Sequence, residues 1–191
     1  NRDKKPLPED VDDIKQALTT IHKRSEGLMR FVESYRSLTL LPKPDFQILK
    51  LHDLVERIFA LQKPQLESQS IELKTEIAPK NLSLAVDPEM FERVLINLII
   101  NSMHALEESE DGKIFIKAGI TERGKTFIQV IDNGSGILPE VQNRIFIPFF
   151  TTRKEGSGIG LSMCRQIVRL HNGSISVKSE PGVETIFTII I

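Results

Sequence analysis

Gly156-Ser157-Gly158-Ile159-Gly160-Leu161, preceded upstream by Asp132-Asn133-Gly134-Ser135-Gly136, decides how this chain reads. Two glycine clusters in that order, the first opened by a carboxylate, suggest a nucleotide site assembled from loops. The spacing excludes two familiar solutions. Gly156, Gly158 and Gly160 make GxGxG, whereas a dinucleotide turn needs GxGxxG, and no Gly-Lys-Ser/Thr follows to complete a P-loop. A different phosphate-binding architecture is required.

Working outward, the second cluster leads into a helical segment from about Leu161 to His171. The backbone N–H groups of Gly158, Gly160 and Leu161 could therefore face an anion with the helix dipole behind them. A flexible connection between helices would have the same composition. Before it runs Phe146-Ile147-Pro148-Phe149-Phe150-Thr151-Thr152-Arg153-Lys154-Glu155, aromatic anchors followed by a polar, glycine-bounded stretch that suits a mobile lid. Lys154 is placed to reach a terminal phosphate, although basic loop residues are more often merely solvated. Asp132 closes a strand that begins at Thr126. It can accept a hydrogen bond from the amino group of a base while Gly134 and Gly136 let the backbone approach the ligand. Asp-Asn-Gly is also a common turn sequence.

Further upstream, Asp87-Pro88 is a helix start, an N-cap carboxylate with proline at the first helical position, and the helix runs to about Leu106. Arg93, Asn97, Asn101 and His104 share one face of it, because steps of four and three return to the same side. The remaining positions are largely apolar. A buried unpaired amide costs about 1–3 kcal/mol, so two asparagines one turn apart want polar partners. An amide oxygen is a suitable hard ligand for Mg²⁺, whose other ligands are usually waters and substrate phosphates. A solvated stripe on an amphipathic helix is the plainer alternative.

The rest of the chain frames these motifs. From Asp12, the residues Ile14, Leu18, Ile21, Ser25, Leu28, Val32 and Tyr35 follow a heptad seam, which one helix cannot bury alone. Leu41-Pro42-Lys43-Pro44 stops that helix and marks a boundary, giving residues 1–42 as a helical segment and 43–191 as a second domain. Residues 1 to 9, with Pro6 and Pro8, read as a loop or frayed end. Beyond Pro44, strands are expected at Phe46–Leu51, Ile71–Ile77, Leu82–Val86, Ile114–Ile120, Thr126–Ile131, Ser174–Lys178 and Thr185–Ile190, with a helix over His52–Ser68. That order implies an α/β fold, an α+β two-layer sandwich in which one sheet is covered by helices.

Forty per cent hydrophobic residues in 191 supply a core, and a net charge of −1 offers no basic field for nucleic acid. The single cysteine, Cys164, suits a reducing compartment, and the cytoplasm is expected whether or not a parent protein is membrane-anchored. No apolar run approaches a membrane span, so no membrane contact is expected of this chain. Starting at Asn1 and ending in Ile189-Ile190-Ile191, it reads as a piece of something larger.

Asn97 and Asn101, then Asp132-x-Gly-x-Gly, then the Phe-rich segment, then GxGxG form an ordered set that resembles the Bergerat-type ATP site. Sensor histidine kinases, gyrase-type topoisomerases, mismatch-repair ATPases and heat-shock chaperones share that site. Phe149-Phe150-Thr151-Thr152-Arg153-Lys154 and Ile159-Gly160-Leu161-Ser162 look most like a histidine kinase of two-component signalling, and the match covers about Phe46 to Ile191. His171-Asn172-Gly173-Ser174-Ile175 also fits the family, while Glu184 stands where many members have glycine before the threonine.

The resemblance implies a mixed sheet covered by helices, with ATP and Mg²⁺ as cofactors. It implies Asn101 as metal ligand, with Asn97 as a polar neighbour of the metal–phosphate region and both as catalytic residues. Asp132 would hold the adenine amino group, with Gly134, Gly136 and Thr185 around the base. Gly156, Gly158, Gly160, Leu161 and Lys154 would lie at the phosphates. Gyrase-like ATPases carry a water-activating glutamate four residues before the asparagine, where this chain has Asn97. Glu92 is nine positions from Asn101 and so on the opposite face, which favours holding ATP for transfer over hydrolysing it.

The same resemblance makes the heptad helix the second helix of a dimerisation hairpin, so a homodimer through it is expected, as is a response-regulator receiver domain as partner. None of the four histidines is followed by an acidic residue and proline; His22 is followed by Lys23-Arg24-Ser25-Glu26. The phosphoacceptor is therefore expected upstream of Asn1. The alternatives are an ATP-gated gyrase, chaperone or mismatch-repair type of ATPase, and a non-catalytic interaction module.

Overall fold

The computed structural model describes residues 8–39, 41–153 and 156–191. They belong to two compact units that divide between Leu40 and Leu41. The first is a single helix, α1 (Pro8–Thr39). It starts earlier than the Asp12 onset read from the heptads, because Pro8 is tolerated in a first turn whose N–H groups lack partners anyway. Its seam residues Ile14, Leu18, Ile21, Leu28, Val32 and Tyr35 are 47% to 64% exposed.

The second unit contains β1 (Gln47–Lys50), α2 (Leu51–Ser68), β2 (Glu72–Ile77), β3 (Ser83–Val86), α3 (Pro88–Ala105), β4 (Lys113–Ile120) and β5 (Thr126–Asp132). It continues with α4 (Pro139–Gln142), α5 (Gly160–Leu170), β6 (Ser174–Glu180) and β7 (Glu184–Ile190). Five strands form one sheet in the order β2-β4-β5-β7-β6, with β2 parallel to β4 and every other pairing antiparallel. The sheet is therefore mixed, as expected.

Alternation along the central strands explains the second layer. Ile114, Ile116, Ala118, Ile128, Val130, Phe187 and Ile189 are buried on one face, and α2, α3 and α5 cover it. The α/β two-layer architecture follows from that one-sided burial. One expectation needs correcting: β1 and β3 do not join the main sheet but pair with each other as a separate antiparallel ribbon. Ile48 on β1 stays exposed there, so the alternation that marked a strand did not mark a core strand.

Helix α3 runs through the middle of the core, with Phe91, Val94, Leu95, Leu98 and Ile99 fully buried. Asp87 caps it, accepting from Met90 N at 3.0 Å, with Pro88 in the first turn. The other carboxylate oxygen of Asp87 accepts from Asp45 N at 2.9 Å. Asp87 N donates to His171 Nε2 at 2.9 Å, and His171 Nδ1 donates to Ile167 O at 2.7 Å. Buried His171, with Phe46 and Phe91 edge-on to its ring, ties the start of α3 to the end of α5. This fixes the direction in which α3 presents its polar face.

Candidate functional site

At one end of the site, β5 terminates in Asp132, which is only 2% exposed. Ser102 on α3 donates its hydroxyl to Asp132 Oδ2 at 2.8 Å, and Gly134 N donates to Oδ1 at 3.1 Å. Burial raises the carboxyl above its ordinary range, and the two donors work against that rise. Thr185 lies directly opposite Asp132 in the β5–β7 register and is equally buried. Its hydroxyl shares a 2.9 Å hydrogen bond with Ser179 Oγ, which also accepts from Ile137 N at 2.9 Å. Through Ser179, Thr185 and the glycine loop after Asp132 form one bonded unit.

The glycines in that loop are required by contact. A Cβ on Gly134 would lie 2.6 Å from Ala105 O at the end of α3. Gly136 has φ +72°, and a Cβ there would lie 2.5 Å from Glu180 O. Ser135 N bonds Ala105 O at 3.0 Å, and Gly182 N bonds Ser135 O at 2.9 Å. The loop is thus clamped between α3 and the β6–β7 turn.

The other end is assembled differently. Asn97, half-buried on α3, donates to Cys164 Sγ on α5 at 3.5 Å. Its carboxamide lies where a Cβ on Gly160 would go, so with Asn97 in this position α5 begins beside α3 with a glycine, and a larger residue there would displace the amide. Burial pushes the Cys164 thiol up to about 12, which keeps it neutral and makes it a packing group. One turn on, Asn101 Nδ2 is buried and has no hydrogen-bond partner among the described residues. The first turn of α5, Gly160 and half-buried Leu161 included, has no side-chain cap. Its N–H groups are therefore available to an acceptor.

Between these parts runs the Phe-rich segment. Phe149 N bonds Gly158 O at 2.9 Å, closing the neck of a loop. Both residues have left-handed backbone, φ +64° for Phe149 and +68° for Gly158. A bulky residue in that region carries strain of roughly 1–2 kcal/mol. Inside the loop, Thr151 Oγ1 accepts from Arg153 N at 3.0 Å and packs against Gly156. The Arg153 guanidinium contacts His104 Nδ1 and reaches Glu107 Oε1 at 3.4 Å. Desolvation first, and Arg153 second, hold His104 below its usual range. Lys154 lies outside the described residues.

The sequence-derived site residues therefore fall into two groups joined by α3. Asp132, Gly134, Gly136 and Thr185 form one, and Asn97, Gly160 and Leu161 the other, with Gly156 and Gly158 at the loop and Asn101 between. Asn97 is not part of a solvated stripe. Ser102 and Ser179 were missed. For Ser102 a signal existed: it continues the buried row of Phe91, Leu95 and Leu98, and a hydroxyl in an apolar row needs a partner. Glu92 does face away from this site, since its Oε2 lies 2.5 Å from Arg57 Nη2 on α2.

This architecture defines a class. The chain belongs to the histidine kinase-, DNA gyrase B- and HSP90-like ATPase family, whose sequence model matches residues 86–191. The more particular likeness is to histidine kinases. The catalytic domain of histidine kinase ThkA is 30% identical and superposes with a TM-score of 0.69 over 77% of this chain and 95% of that one. The sensor histidine kinase ZraS of Salmonella typhimurium is 31% identical over 167 residues, covering 87% of this chain and 36% of ZraS. The signal transduction histidine-protein kinase AtoS of Escherichia coli is 29% identical over 91% of this chain and 28% of AtoS. The chain thus spans about a third of the length of these curated relatives. ThkA in complex with response regulator protein TrrA matches with 26% identity and a TM-score of 0.71.

Proposed function

We propose that this chain is the ATP-binding catalytic part of a sensor histidine kinase. Its activity would be transfer of the γ-phosphoryl group of Mg·ATP to a histidine outside the described residues. The observation that carries the reading is Asp132: a buried carboxylate with one neutral donor on each oxygen and no cationic partner among the described residues. Each oxygen keeps acceptor capacity, which an exocyclic amino group on a base would use. Thr185, Gly134 and Gly136 would shape the pocket around that base.

Toward the phosphates, the orphaned amide of Asn101 fits a metal ion or phosphate group, because a buried polar atom without a partner is costly until a ligand supplies one. The two ends of a side-chain amide exchange by a simple flip, so either an oxygen for Mg²⁺ or an N–H for phosphate can be presented. Among the described residues no group of three or more His, Cys, Asp or Glu could hold a metal. This suits Mg²⁺, which takes few protein ligands and arrives with substrate phosphates. Asn97 would orient that region, and the uncapped N-terminus of α5 with Gly156, Gly158, Gly160, Leu161 and Lys154 would receive the phosphate charge. Bound Mg·ATP supplies a transferable phosphoryl group, and the chain's contribution is positioning and charge neutralisation. The engagement of Glu92 with Arg57 supports transfer rather than hydrolysis, since it leaves that carboxylate turned from Asn101.

Residues 1–42 would be the second helix of a dimerisation hairpin, with the exposed seam of α1 meeting another copy, and 43–191 the catalytic domain. A receiver domain would accept the phosphoryl group, and a cytoplasmic setting is the expected one. No helix among the described residues is long and apolar enough to cross a membrane. Calorimetry with ATP and Mg²⁺ tests the site: the chain binds, and Asp132→Ala loses binding by at least a hundredfold, about 2.7 kcal/mol. Unchanged affinity in that variant overturns the assignment.

A further inference from the structure

We infer that Ser102 is a specificity-determining positioning residue, holding Asp132 ionised and aimed so that the site selects a base carrying an amino group over one carrying a carbonyl. This rests on the reading of Asp132 as the base-binding carboxylate.

The assignment of protons follows from the charge of Asp132. An ionised carboxylate only accepts, so the 2.8 Å contact between Ser102 Oγ and Asp132 Oδ2 is a hydroxyl donating to the carboxylate. Ser102 is 0% exposed, and its hydroxyl makes no other hydrogen bond among the described residues. Gly134 N, the second donor, belongs to the backbone and is kept by every substitution except proline. Among the described residues, Ser102 is therefore the one side chain that donates a hydrogen bond to Asp132, against the burial that raises its carboxyl.

That charge state decides which base fits. Ionised Asp132 accepts from an amino group and repels a carbonyl oxygen, so it favours adenine over guanine. Protonated Asp132 carries an O–H that can donate to the carbonyl, so the preference weakens. Burial already raises this carboxyl above the ordinary range. A ligand N–H favours the ionised form, so affinity for an amino-bearing base is complete above the raised pKa. It is lost as pH falls through that pKa. Removing the Ser102 donor raises the pKa further and moves the loss to higher pH. Ser102 sits beside Asn101, on the row of α3 that faces the core, so the same helix that offers the orphaned amide also tunes the carboxylate.

The test measures affinity for ATP and for GTP by calorimetry from pH 5 to pH 8 on the 191-residue chain, with Ser102→Ala, Ser102→Cys and Asp132→Ala. Cysteine is close in size and a weak donor, so it serves where alanine fails to fold. The expected result is an affinity midpoint for ATP moved up by about one pH unit or more in the serine variants. Preference for ATP over GTP should narrow about tenfold near that midpoint. A uniform loss at every pH with an unmoved midpoint would mean Ser102 merely packs, and overturns the inference. If Asp132→Ala binds ATP normally, the site assignment itself fails. If Asp132→Ala abolishes binding while the serine variants keep the native profile, only the role of Ser102 fails.

Discussion

The proposed base end and the proposed phosphate end of this site share helix α3 yet differ in how completely their polar atoms are partnered. At the base end, Asp132, Ser102, Gly134, Ser179 and Thr185 are joined by short hydrogen bonds, and the glycine loop is clamped from two sides. At the phosphate end, Asn101 is unpaired, α5 is uncapped, and Phe149 is held in a strained backbone conformation. The first arrangement is finished before any ligand arrives. The second leaves donors idle, which costs stability that a ligand can recover. The comparison teaches that, on the proposed reading, recognition of the base would be built into the core, while recognition of the phosphates would be completed on binding.

The largest effect is expected where the finished end is disturbed. Gly136→Ala places a methyl group 2.5 Å from Glu180 O at φ +72°. Left-handed backbone costs a non-glycine residue roughly 1–2 kcal/mol, and overpacking adds about 1–3 kcal/mol. Chemical denaturation should show that loss without nucleotide present. A variant as stable as the parent would mean that the loop is not clamped, and the contrast between the two ends would disappear.

Asn101→Ala should separate stability from binding. Truncation removes a buried amide nitrogen that has no partner, so the melting temperature without nucleotide should hold or rise. With Mg·ATP at a hundredfold excess over the parental Kd, the parent gains about 2.7 kcal/mol and the variant should gain almost none. A fall in stability without nucleotide, with the ATP-induced rise intact, would place Asn101 among the finished residues.

Where the two ends lie was largely legible in the sequence, and the reason is local. Asp87-Pro88 marks the start of α3, the glycine spacings mark loops, and periodicity places Asn97 and Asn101 on one face of one helix. What could not be read depends on long-range placement. The hydrogen bond from Ser102 to Asp132 exists only because β5 ends beside the last turns of α3. The pairing of β1 with β3 in a ribbon of their own needs strand partners that alternation does not name. Helix α4 is too short to show a period. The orphaned amide is invisible for the same reason: a missing partner is a property of the packed structure.

The smallest effect belongs to the loop between the two ends. Arg153 links it to His104 on α3 and to Glu107 just beyond the helix, and its ion pair with Glu107 is 3.4 Å long with both side chains about half exposed. Exposed pairs of this kind are worth about 0.2–1 kcal/mol and weaken with salt. Arg153→Ala should therefore change global stability by less than about 1 kcal/mol. Amide exchange should nevertheless speed up at Thr151, Thr152, Arg153 and Gly156, because the neck bond from Phe149 N to Gly158 O would then hold them without help from Arg153. Unchanged exchange would mean that the neck alone sets the order of the loop. A loss of several kcal/mol would show instead that Arg153 supports the core, and would move the loop from the unfinished end of the site to the finished one.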